Sequence, residues 1–396
     1  DFSRAGSLYN MFNDCQNLVD LSNLKNWDVS NVRNITNLFY NCTKLSDISP
    51  LSTWNTKRIK SVYEMFYSAN LSDVTALKNW DVSSLKDFSY MFYYCGNLTN
   101  IDGLSNWNVS NAENMRGVFD GCDKLADITA LKNWNTSKVT SIAYMFAYCP
   151  NITDISILKN WNVSNATSMD GLLNSCTNIT DISSLKDWNI SKVTNISYMF
   201  YYCSNITDIS AVSNWNTSNV INMQSLFEVT KISDINAVQD WNTSKVQNMS
   251  YLFKMTPINT TKPLEKWNTK NVTTFQGMFN TCSSLSDASG VYNWDMSSAK
   301  SIASMFTKCY AVRELKINNW DVSNVIDMSY MLWNCSGLTE LDLTSWNTSN
   351  VTTTQEMLCY TTRLNILKVG KGWDLTKANK TDMFTGSKIS DVTKAE

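Results

Sequence analysis

"WNISKVTNISYMFYYCSNITDISAVSNW", residues 188–215, runs from one tryptophan to the next. Between them the apolar residues are Ile190, Val193, Ile196, Met199, Phe200, Cys203, Ile206, Ile209 and Val212. Nearly all stand three apart. A step of three fits neither an α-helix, with its period of 3.6, nor a strand, with its period of 2. It fits a backbone that coils and turns an apolar side inward on every arc.

The stretch is one copy of a phrase that fills the chain. Trp27, Trp54, Trp80, Trp107, Trp134, Trp161, Trp188, Trp215, Trp241, Trp267, Trp294, Trp320, Trp346 and Trp373 follow one another at steps of 26 or 27 residues. Each is followed by Asn or Asp, and only Trp333 lies off the series. A unit of this length buries its apolar face only against its neighbours. The expectation is one right-handed solenoid over residues 1–396, mainly β, of about 15 coils without a long helix. Short extended pieces such as "TDIS" and "LDL" are expected to pair as stacked parallel strands. Residues 228–266 break the pattern: they lose the cysteine and gain Pro257 and Pro263, so a bend or a protruding loop is expected there. Residues 374–396 are degenerate and rich in Lys and Thr, a possible cap.

Composition narrows the function. Lys plus Arg number 33 against 35 Asp plus Glu, a balance that argues against nucleic-acid binding. No apolar run approaches the roughly 20 residues of a membrane span, so direct membrane insertion is not expected. There is no histidine, hence no Ser-His-Asp or Cys-His arrangement, and no Gly-rich phosphate loop. Carboxylates are spread evenly. The chain reads as non-enzymatic, with no cofactor.

The stretch "GLTELDLTSWNTSNV" (337–351) resembles the L-x-x-L-x-L core of leucine-rich repeats. The phrase "MF-x-x-C-x-x-L" is similar to one in BspA-like leucine-rich repeats. The whole unit resembles the 26-residue surface-protein repeat of mycoplasma and listeria lipoproteins. The resemblance implies a leucine-rich-repeat-like solenoid at a cell surface, and it brings no catalytic residues.

Nine cysteines stand 15 residues after a repeat tryptophan, among them Cys95, Cys122, Cys149, Cys176 and Cys203; Cys15 shares the phase, and Cys359 is shifted by two. Ala69 takes the position once, and Ala replaces volume but not bonding. Buried, reduced thiols are therefore expected, not disulfides, since stacked side chains point the same way. Without C-x-x-C or histidine a tetrahedral metal site is disfavoured. The tryptophans, Trp107, Trp134, Trp161 and Trp188 among them, are expected to form an inward ladder, with the next Asn or Asp bonding the turning backbone; a row of exposed sugar-stacking rings is the other reading.

Tyr40, Tyr67, Tyr94, Tyr148 and Tyr202 fall between inward positions and are expected to be partly exposed. They make either a contact face for protein or glycan or a solvated rigid surface. Asp47, Asp73, Asp127, Asp154, Asp181, Asp208, Asp234 and Asp287 recur beside the presumed strand, suited to local backbone bonds or to calcium. Asn-x-Ser/Thr sequons include Asn108, Asn135, Asn216 and Asn347, acceptors for N-glycosylation if the host glycosylates.

Phe2, Ala5, Leu8, Met11, Phe12 and Cys15 occupy the positions of Val29, Val32, Ile35, Leu38, Phe39 and Cys42. The chain thus starts in mid-coil and without Met, as part of a longer protein or as an end that docks on another subunit. The function expected is an extracellular or cell-surface repeat protein with a structural or adhesive role. The alternatives are a filament or coat subunit assembled end to end, and an adhesin for glycan or host protein.

Overall fold

The computed structural model describes residues 4–389 and the backbone of residues 393–394. It groups into two compact units, residues 1–193 with 202–205, and residues 194–201 with 206–396. In the first, parallel bridges join Ser7, Asn34, Ser61, Asp87, Asn114, Ser141 and Ser168 in succession. In the second, they join Asn195, Asn222, Asn248, Thr274, Ser301, Asp327, Thr353 and Asn379. Partners are 26 or 27 residues apart, so each unit is a repeat solenoid of stacked coils.

The expectation of a mainly β fold is corrected. Among the described residues there are three strands, β1 (Glu340–Leu343), β2 (Ile366–Val369) and β3 (Thr393–Lys394), paired in parallel in that order. "LDL" lies in β1, but the "TDIS" pieces at 153, 180 and 207 form no strand. The reason is visible in the arc after Trp27. The N–H groups of Ile35, Asn37, Phe39 and Asn41 donate to the carbonyls of Ser61, Tyr63, Met65 and Tyr67 on the next coil. Between them, Leu38, Tyr40 and Cys42 donate three residues back, to Ile35, Asn37 and Phe39. The step of three therefore reflects successive i→i+3 turns. Turns alternate with single bonds to the neighbouring coil, so every amide is used without a continuous strand.

A short 3-10 helix precedes most of the tryptophans, as at Ser22–Leu24 and Thr129–Leu131. Its start is set by the recurrent aspartate: Asp127 Oδ1 accepts the Thr129 N–H at 2.8 Å, and Asp154 that of Ser156 at 2.7 Å. After each tryptophan another such bond turns the chain, as between Asp28 Oδ1 and the Ser30 N–H at 3.0 Å.

The core is a column of rings inside each unit. Phe39, Phe66, Phe92, Phe119 and Phe146 stack at 5.7–5.8 Å in the first, and Phe200, Phe227, Phe253, Phe279 and Phe306 at 5.5–6.1 Å in the second. Over residues 228–266 the second column continues through Phe253, and Trp241 and Trp267 remain buried. Pro263 sits inside the 3-10 helix Lys262–Leu264, where its fixed φ suits the turn. What replaces cysteine in these coils is Thr230 and Thr256, both buried, each donating to the Phe carbonyl three residues back, at 2.8 and 2.6 Å. In the last coil Met383 is buried; residues 390–392 and 395–396 of the cap expectation lie outside the described residues, as does Phe2 at the other end. Met11 and Cys15 are exposed, which corrects their assignment to the inward series: no described coil covers them from the preceding side.

Candidate functional site

The coil geometry puts two left-handed residues on each arc, 10 and 14 positions after the tryptophan, or 9 and 13 after Trp373. Tyr90, Tyr94, Tyr144, Tyr148, Tyr198, Tyr202, Tyr251, Tyr330 and Tyr360 hold such places, with φ between 51 and 58°. A non-glycine residue rarely adopts this conformation, which costs about 1–2 kcal/mol. Tyr90, Tyr94, Tyr144, Tyr251 and Tyr360 gain packing in return, because each ring leans over the next coil. Gly117, Gly121, Gly171, Gly277 and Gly386, all at positive φ, lie under Tyr90, Tyr94, Tyr144, Tyr251 and Tyr360, whose rings fill the space of a Cβ. No tyrosine directly follows another in these two columns. In the first unit the outer column reads Tyr94, Gly121, Tyr148, Ser175, Tyr202, one ring every second coil. These three rings are among the most exposed large side chains, at 51, 46 and 46%. Consecutive rings are two coils apart, about 10–12 Å at the ~4.8 Å spacing of stacked backbones or the 5.7–5.8 Å step of the phenylalanine column.

At one end of this row the tyrosines merge into a patch. Tyr40 and Tyr67 stack at 4.3 Å, Tyr67 meets Tyr93 at 4.9 Å and Tyr94 at 6.3 Å, and Tyr93 meets Tyr94 edge-on at 4.4 Å. Tyr90 and Tyr63 extend it. Of the five tyrosines singled out from the sequence, Tyr40, Tyr67 and Tyr94 thus share a cluster, while Tyr148 and Tyr202 lie along the row. Burial, with Glu64 alongside, pushes the Tyr63 phenol up to about 12, and burial with Asp120 also raises Tyr93. Asp120 is itself buried, its Oδ1 without a hydrogen-bond partner among the described residues, and burial lifts its carboxyl to about 7 against the pull of Arg116. Arg116 spans a whole coil: Nε donates to Tyr90 Oη at 2.7 Å, Nη1 reaches Asp170 Oδ2 at 3.3 Å, and the guanidinium lies 4.8 Å from the Tyr144 ring centre.

The second unit has a smaller counterpart. Lys254 pairs with the buried Glu228 at 2.9 Å and lies 5.0 Å from the ring centre of Tyr251. Trp333, the residue off the series, meets Tyr360 edge-on at 6.0 Å, with Lys308 Nζ 5.1 Å from its ring centre.

The ladder residues have partners that the sequence does not reveal. Each indole N–H donates to a carbonyl of the preceding coil: Trp107 to Leu77 at 3.0 Å, Trp134 to Leu104 at 3.1 Å, Trp161 to Leu131 at 3.4 Å and Trp188 to Leu158 at 3.0 Å. All four rings are buried. Each thiol does likewise: Cys95 to Phe66, Cys122 to Phe92, Cys149 to Phe119, Cys176 to Phe146 and Cys203 to Leu173, at 3.0–3.3 Å. The eleven cysteines are unpaired, and burial pushes the Cys95 and Cys176 thiols up to about 12. Asn108, Asn135, Asn216 and Asn347 are exposed, and each Oδ1 accepts the N–H two residues on, at 3.1–3.2 Å.

Among the described residues no cluster of three His, Cys, Asp or Glu could hold a metal ion, and no helix is long and apolar enough to cross a membrane. What the geometry offers is a rigid, regularly spaced aromatic face. The Tyr-then-Gly alternation was available in the sequence as pairs 26–27 apart, but its meaning needs the lean of the ring.

The family described as "Mycoplasma protein of unknown function, DUF285" matches in four overlapping stretches, 6–130, 124–231, 204–314 and 286–394. No curated protein matches. Among solved structures, an internalin (inlF) from Listeria monocytogenes is 16% identical with a TM-score of 0.37, covering 92% of this chain and 82% of its own. A leucine-rich repeat protein from Bacteroides ovatus is 11% identical with a TM-score of 0.38, covering 87% of each. A leucine rich cell surface protein from Faecalibacterium prausnitzii is 15% identical with a TM-score of 0.36, covering 86% and 77%.

Proposed function

The chain belongs to the DUF285 family of repeat proteins, and from that premise we propose that it is a non-enzymatic protein of the extracellular or cell-surface space that binds through its tyrosine face. The observation that carries this reading is the exposed row Tyr94, Tyr148 and Tyr202, alternating with Gly121 and Ser175. Packing on the next coil covers only part of the Tyr94 ring and leaves about half of it open to a ligand. Rigid tyrosines on a rigid scaffold lose little conformational freedom when a ligand covers them. The surface location is supported by the resemblance to surface-protein repeats and by a core in which ten of the eleven thiols are buried and so protected from oxidation.

The test has two parts. Protease treatment of intact cells should remove the chain while sparing cytoplasmic markers; full protection sinks the surface location. Purified protein should adhere to target cells or their matrix, and a Tyr94→Ser, Tyr148→Ser, Tyr202→Ser variant should adhere at least several-fold less. Equal adhesion by the two removes the tyrosine face from the function.

A further inference from the structure

We propose that the depression beside Tyr94 is a subsite for one ring of a neutral, extended oligosaccharide, which continues along the stack over Tyr148 and Tyr202. The inference rests on the binding reading above and names its ligand class.

The depression is open, about 350 Å3 in volume, and is lined among others by Ser68, Asn70, Tyr94, Asn97, Asp123 and Lys124. It is a polar bowl with one aromatic wall. The Tyr94 ring is seated on Gly121 and braced edge-on by Tyr67 and Tyr93, so its orientation is fixed while half of it stays exposed. Asp123 leans in: its Oδ2 would lie 3.4 Å from a Cβ at Gly96. Asn97 Nδ2 donates to Asn70 Oδ1, which leaves each amide further donor and acceptor capacity. A sugar ring needs this set. Its C–H face packs on an aromatic ring, and its hydroxyls pair with amides, a carboxylate and an ammonium.

The surroundings favour a neutral chain. The charges of Asp123 and Lys124 are adjacent and opposite. Further along, the strip beside the row is amide and hydroxyl: Asn151, Thr177, Asn178 and Asn205. Three of these are pinned to the scaffold, Asn151 Nδ2 to the Asp123 carbonyl at 3.0 Å, Asn178 to that of Pro150 at 2.8 Å and Asn205 to that of Thr177 at 2.9 Å. Asn151 and Asn178 keep their side-chain carbonyl oxygens as acceptors, in one register. A spacing of two coils, about 10–12 Å, is of the order of the disaccharide repeat of an extended β-1,4-linked glycan, so every second sugar would meet a tyrosine. A folded protein ligand has no reason to match that period. Another cavity, about 400 Å3 beside β1, lacks an aromatic wall; it is lined among others by Arg313, Glu314, Lys316, Glu340 and Asp342, of which Glu314 and Lys316 pair at 2.8 Å.

Calorimetry of the full chain with cellotetraose, cellohexaose, chitotetraose and chitohexaose tests the idea. The hexaoses should bind more tightly than the tetraoses, because they reach another ring. Tyr94→Ala, Tyr148→Ala and Tyr202→Ala should each weaken binding about three- to tenfold, with Tyr94→Trp retaining it and each variant still unfolding cooperatively above the assay temperature. No binding of any of these oligosaccharides overturns the proposal, as does binding that is indifferent to the three alanine variants. If adhesion to cells persists without oligosaccharide binding and still falls in the serine variant, the tyrosine face serves a different ligand and only the present inference fails.

Discussion

The ring of Tyr90 lies where a side chain at Gly117 would begin: a Cβ there would sit 2.5 Å from Cδ1 and Cε1 of the ring. Gly117 also has φ +60°. One residue thus answers two demands, a left-handed turn within its own coil and a seat for the tyrosine of the coil before. The same pairing at 26–27 residues recurs at Tyr94 and Gly121, Tyr144 and Gly171, Tyr251 and Gly277, and Tyr360 and Gly386.

Gly117→Ala is expected to cost about 2–4 kcal/mol, the sum of left-handed strain and overpacking. In a Tyr90→Ala background the cost should fall to the backbone part, about 1–2 kcal/mol. Denaturant unfolding of the four proteins measures the coupling; full additivity would show that ring and glycine do not interact.

Phe119 is stacked between Phe92 and Phe146 at 5.7 and 5.8 Å and is fully buried. Phe119→Ala should destabilise by about 3–5 kcal/mol. A cost below about 1 kcal/mol, the level of a surface position, would mean that the ring column is not the core.

Trp134→Phe keeps an aromatic ring but orphans the buried Leu104 carbonyl, which the indole N–H reaches at 3.1 Å. A loss of about 1–3 kcal/mol is expected from the missing bond. Unchanged stability would leave shape alone as the reason for tryptophan.

The thiols predict a pH dependence. Their folded pKa is raised by burial, to about 12 at Cys95, Cys176 and Cys282, from an ordinary value near 9. Below 9 the thiol is protonated in both states and its contribution is fully present. As pH rises above 9 the unfolded chain ionises first, so stability is lost progressively toward 12. Guanidinium unfolding at pH 8, 9.5 and 11 should show that fall. At pH 8 a thiol reagent should label Cys15, which is exposed, far faster than the ladder cysteines; rapid uniform labelling would contradict the closed core.

Asp120 carries the same logic at lower pH. Its folded carboxyl is raised to about 7 by burial, so its contribution is intact below about 4 and declines as pH rises through 7. Asp120→Asn should therefore raise the melting temperature at pH 8 and leave it nearly unchanged at pH 3.5. An equal shift at both values would place the effect in packing instead.

The tryptophan interval and the apolar step of three, read along residues such as Ile190, Val193 and Ile196, determined by themselves that this chain stacks coils of 26–27 residues. That is so because a unit with one apolar side has only its neighbours to bury it against. The step of three could not say how the backbone makes the turn. An extended arc and a run of i→i+3 turns place side chains inward alike, and only the bonds from Asn37 to Tyr63 and from Tyr40 to Asn37 separate them. The loss of cysteine at Thr230 and Thr256 shows in the sequence as a change of residue type, whereas in the fold both positions stay small and buried, as Ala69 does, with each hydroxyl bonded to the Phe carbonyl three residues back. The tyrosine face was decided by tertiary structure. Tyr94 and Gly121 stand 27 residues apart, and their alternation acquires meaning only once stacking brings the ring of one onto the backbone of the other.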